Sequence, residues 1–195
     1  AKLKDENGRV LIPGFYDDVR DLSPAEREKL AEYKFDEDGW LAETGAPQAW
    51  GDHEYTLVER LGARPTLDVH GIIGGYTGPG GKTVLPSTVH CKLSMRLVPD
   101  QTPQQIREAF QAYVQAIAPP TVKVEISGGH GAPATITDFD IPAMKAAVTA
   151  YTETFGIAPV FMREGGSIPV VGQFQEHLGM ETVLMGFGLP DDRIH

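Results

Sequence analysis

The chain has 195 residues, enough for one domain of ordinary size or two small ones. Its 17 lysines and arginines against 27 aspartates and glutamates leave a formal net charge of −10, which repels a phosphate backbone and excludes nucleic acid as an expected partner. Cys91 is the single cysteine, so no disulfide framework is available and a reducing compartment, the cytoplasm, is expected; no stretch approaches the roughly 20 apolar residues of a membrane span, and no membrane partner is expected.

The first 66 residues are polar and broken. Ser23-Pro24-Ala25-Glu26 announces a helix that ends near Tyr33: an N-cap, a proline at the first helical position and a glutamate able to close a capping box. The stretch that follows, rich in Asp, Glu, Gly and single aromatics, reads as a long connection or insertion. LDVHGII (67–73) reads as a strand and GGYTGPGGK (74–82) as a Gly-rich loop. In STVHCKLSMRLV, Val89, Cys91, Leu93, Met95 and Leu97 alternate with Thr88, His90, Lys92, Ser94 and Arg96, the period of a strand with one buried face, so Arg96 points away from the core. Thr102 and Pro103 open a helix to about Ala118, with Ile106, Phe110, Val114 and Ile117 on one face. Val122, Val124 and Ile126 form a further alternating strand.

Strand, strand, helix, strand is most of a ferredoxin-like α+β unit, an antiparallel sheet with helices on one face. From Asp138 the pattern becomes helix (141–155, capped by Gly156), strand (159–163), helix (about 168–178) and strand (181–187), an α/β segment. The expected division is therefore 1–137, made of an insertion (1–66) and a sheet with helix (67–137), followed by 138–195.

Arg163-Glu164-Gly165-Gly166-Ser167 joins a strand to a helix start, where backbone N–H groups are free to bind an anion or a carbonyl oxygen. Ser167 reads as an N-cap or, with Gly166, as the lining of a ligand site. Arg96 is either a solvated side chain or a bidentate carboxylate grip, and Thr83 is by default a turn residue. The six histidines show no local metal spacing. His195 differs in following a Gly-rich loop with Asp191 and Asp192, yet one histidine does not hold a metal.

Four ordered stretches together resemble the M20 family of metallopeptidases, in its carnosinase-like dipeptidase branch: DENGRVLIPGFYDDV (5–19), GGYTGPGGKTVLPSTVHCKLSMRLVPDQTP (74–103), REGGSIPV (163–170) and GFGLPDDRIH (186–195). The first two are similar to segments of the family's lid, or dimerisation, domain and the last two to active-site loops of its catalytic domain. The resemblance implies metal-assisted hydrolysis of dipeptides with two divalent ions, zinc or manganese, and a homodimer formed through the lid, for which Trp40, Trp50 and free strand edges give slight support. It implies that His195 is a metal ligand that also borders the substrate, that Thr83 and Arg96 hold the substrate's carboxylate end, commonly across the dimer, and that Gly166 and Ser167 contact the same region.

The family's other ligands and its catalytic base, a His-x-Asp motif, a bridging aspartate and a Glu-Glu pair, have no counterpart among these residues. No catalytic residue is therefore assigned, and the chain by itself is expected to be inactive and not to retain the metals. The alternatives are an N-acyl amino acid deacylase or desuccinylase of the same superfamily, and a non-catalytic dimerisation module.

Overall fold

The computed structural model describes residues 2–164 and 168–188. Among them the chain forms an α+β arrangement of six helices and one two-stranded antiparallel sheet. The order is α1 (Pro24–Ala31), α2 (Glu37–Thr44), α3 (Leu57–Ala63), β1 (Thr66–Gly74), β2 (Val89–Arg96), α4 (Pro103–Ile117), α5 (Pro142–Phe155) and α6 (Pro169–Leu178).

Local chemistry sets most helix boundaries. Helices α1, α4, α5 and α6 begin with proline, whose missing N–H is one that a first helical turn leaves without an intrahelical partner anyway. At α1 the capping box read from the sequence is closed: Glu26 N–H donates to Ser23 Oγ (3.3 Å) and Ser23 N–H donates to Glu26 Oε2 (2.8 Å). Gly156 ends α5 with φ of 75°, in the left-handed region that favours glycine. Thr102 holds the N-cap position of α4, but its hydroxyl makes no capping bond. Gln101 ties that corner instead, accepting from Val98 N–H (3.0 Å) and donating to the Phe15 carbonyl (2.7 Å) from a buried position.

Strand β1 pairs with β2 from Thr66 opposite Arg96 to Gly74 opposite Val89. The register shifts between Val69 and Gly71, leaving His70 as the extra residue of a bulge. The ribbon is anchored at one end only. Leu67 is 2% exposed and packs with Val10, Ile12, Phe15, Ile106 and Phe110, while Leu93, Met95 and Leu97 of the β2 side lie against the same cluster. One sheet face is thus covered by α4 and by the 10–15 segment. At the far end Val69, Ile72, Ile73 and Val89 are exposed, Ile72 by 72%. A second, smaller cluster of Leu22, Leu30 and Ala63 joins α1 to α3.

Two expectations are corrected. Residues 122–126, 159–163 and 181–187 join no ladder among the described residues. The alternation of 122–126 does fix a face, with Val124 and Ile126 half-buried and Lys123 and Glu125 exposed. A strand also requires a neighbouring backbone edge, however, and side-chain alternation carries no information about that edge. The stretch after Tyr33, read as connection, contains α2 and α3. Helix α3 opens with its own capping box, Thr56 and Glu59, a signal present in the sequence.

Candidate functional site

Thr83 stands in the exposed segment 75–88 that links β1 to β2. That segment is shaped locally, by the Tyr76 hydroxyl donating to the Pro79 carbonyl (3.1 Å) and by the Lys82 ammonium lying 5.4 Å from the Tyr76 ring centre. Arg96 closes β2, opposite Thr66, and is exposed. Among the described residues no carboxylate lies within ion-pairing distance of its guanidinium. The root of the Thr83 loop and Arg96 are separated by the length of β2, roughly 24 Å at about 3.4 Å per residue. One copy of the ribbon therefore places them at opposite ends.

Gly166, Ser167 and His195, together with Asp191 and Asp192, lie outside the described residues. Among the described residues no group of three or more His, Cys, Asp or Glu side chains could hold a metal ion. The described residues do not by themselves make a metal centre, since a catalytic zinc usually takes three protein ligands. Neither surface groove found beside α4 (Glu108, Gln111, Gln115, Ile126) nor the one beside β1 (Leu3, Lys4, Leu67, Asp68, Val69) includes Thr83 or Arg96.

The most charged construction in the fold escaped the sequence reading. Glu26, besides capping α1, accepts from Arg20 Nη2 at 2.8 Å and from Arg163 Nη2, 137 positions away. Burial works to raise the Glu26 carboxyl, but hydrogen bonds from the backbone and hydroxyl of Ser23, the charge of Arg163 and a hydrogen bond from Arg20 outweigh it and hold the group below its ordinary value. Burial lowers Arg163, and Glu26 only partly offsets that. A parallel unit sits on α3, where buried Glu59 accepts from Thr56 N–H at 2.7 Å and from Arg27 Nη1 at 2.5 Å. The capping boxes are readable in sequence, whereas the arginine partners are not.

With the fold and these side chains in place, the class of protein is defined by similarity. Residues 26–122 match the peptidase dimerisation domain M20_dimer, so the chain carries an M20-type dimerisation domain. Over its whole length the chain is 32% identical to the Cys-Gly metallodipeptidase DUG1 of Candida albicans and 29% identical to the Beta-Ala-His dipeptidase of Homo sapiens, covering 41% and 39% of those proteins. It superposes with a TM-score of 0.81 and 32% identity on the M20 family metallo-carboxypeptidase Sso-CP2 from Sulfolobus solfataricus, over 92% of this chain and 40% of that one. The chain thus spans about two fifths of the length of these relatives.

Proposed function

We propose that the protein carrying this chain is a metal-dependent dipeptidase, and that this chain supplies its grip on the substrate's free carboxylate. The reading is carried by one observation: the chain matches metallodipeptidases along its full length while presenting, at Arg96, an exposed guanidinium that no carboxylate of the described residues engages. A planar guanidinium pairs with a carboxylate through two parallel N–H···O bonds.

Thr83 joins Arg96 in this role from a second copy of the chain. Their positions at opposite ends of the ribbon support that arrangement, and so do the ribbon's two edges, which no described strand pairs, and the exposed Ile72, Ile73 and Val89. The dimer forms through the 1–137 unit, read as a ferredoxin-like lid; the antiparallel β1–β2 pair followed by α4 is consistent with that fold. The boundary near residue 137 agrees with the main core, whose members and packed neighbours run from Leu3 to Ile126. Gly166 and Ser167 contact the substrate from the second unit, and His195 supplies one ligand to a metal whose other ligands come from outside this chain. The described residues bind and orient the substrate, and no catalytic step is assigned to them.

The test compares dipeptides with their C-terminally amidated forms in the full-length protein. Arg96→Met is expected to raise KM for the free-acid dipeptide by about 10- to 100-fold, the loss of a charge-assisted pair, with little effect on the amide. Equal losses on both substrates would remove Arg96 from the carboxylate site.

A further inference from the structure

Three contacts join the α1–α3 pair to residues 161–163. Arg163 reaches Glu26, the Arg163 carbonyl lies so close to Gly62 of α3 that a Cβ there would run into it, and the Lys29 ammonium stands 5.6 Å from the Phe161 ring centre. The side chains of Glu26 and Arg163 are only 12% and 19% exposed, so water screens the pair weakly. Glu26 is itself fixed by its two bonds to Ser23, and Arg20 approaches the same carboxylate oxygen as Arg163. The carboxylate is thus a preformed socket that costs little side-chain entropy when the arginine enters.

We propose that Glu26 is a positioning residue: acting through Arg163, it fastens residues 161–163 onto the α1–α3 pair, and so sets how the chain that follows Arg163 is presented to the substrate. The consequence for substrate rests on the dipeptidase reading, whereas the fastening itself does not. Dipeptide binding then depends on a glutamate that touches neither substrate nor metal. Gly62 completes the socket, because any larger residue there displaces the Arg163 backbone.

The variants separate this role from helix capping. Glu26→Gln keeps the capping box, which glutamine also closes, and removes the charge; Arg163→Gln removes the pair from the other side with the cap untouched. Each is made in the full-length protein with its native cysteines, Cys91 among them, replaced by serine and with spin labels at exposed positions 28, on α1, and 153, on α5. The label–label distance distribution is expected to broaden at least about twofold in both variants, and KM for a dipeptide to rise about 5- to 10-fold with kcat within about twofold. The double variant Glu26→Gln with Arg163→Gln is expected to lose no more than either single variant, as for two partners of one pair. Unchanged distances in the two single variants would overturn the proposal, as would a fall in kcat and thermal stability without any change in KM or distance. If the unsubstituted protein hydrolyses no dipeptide, the dipeptidase reading fails, while the distance measurement still decides whether Glu26 fastens the segment.

Discussion

At the scale of single residues, the polar groups that matter are those fixed twice. Gln101 satisfies a buried amide at Val98 and a carbonyl at Phe15 with one side chain. Gln101→Leu leaves both without partners and is expected to cost about 1–3 kcal/mol in urea unfolding. A surface glutamine would give close to zero. Glu26 makes a pH prediction, because its carboxyl is held below its ordinary value in the folded chain. Such a group contributes stability that is present above its unfolded-state pKa and is lost as pH falls through the folded value. The stability gap between the unsubstituted chain and Glu26→Gln is therefore expected at pH 7 and should close as pH is lowered below 4.5; a gap that widens in acid would show that another group governs it.

At the scale of elements, caps and close approaches decide. Thr56→Ala removes the hydroxyl that accepts from Glu59 N–H at 3.3 Å, and is expected to destabilise by about 0.5–2 kcal/mol. Gly62→Ala tests the packing of α3 against Arg163. An exposed helical glycine replaced by alanine gains about 1 kcal/mol, but here the new methyl meets a backbone carbonyl, so the thermal midpoint should fall. A rise would mean that α3 does not rest on that carbonyl. These elements also show what could be read in advance. The proline-led starts, the Ser23–Glu26 box and the Gly156 stop are local chemistry, and α1, α4, α5 and α6 fall where that chemistry puts them. Helix α2 carries its apolar residues side by side at Trp40, Leu41 and Ala42, so no helical period announces it, and the three alternating segments join no ladder among the described residues because a strand is a property of two backbones.

At the scale of the whole molecule, the two ends of the chain differ in how they bury apolar surface. The core gathers around Phe15 and Leu67, whereas α5, α6 and their flanks expose Ile157, Ile168, Phe174, Leu178, Leu184 and Phe187. Large apolar side chains exposed in such number are normally covered. The isolated chain is accordingly expected to bind a hydrophobic dye strongly and the full-length protein weakly; equal binding would mean that the surface stays open in both. The site was legible only in part for a related reason. Arg96 could be placed on an outward face by a period of two, and the structure puts it there. The Glu26–Arg163 pair could not be found in that way, because nothing in local spacing links residues 137 positions apart. No described cluster could have revealed a metal centre, so His195 stands on resemblance alone.

The most direct test of the dipeptidase reading is made on the full-length protein: bound metal and dipeptide hydrolysis measured together, with and without His195→Ala. Hydrolysis by the unsubstituted protein is expected, with metal and rate lost together in the variant. A variant that keeps both would contradict the assignment of His195, and an unsubstituted protein that binds metal yet cleaves no dipeptide would contradict the proposed activity itself.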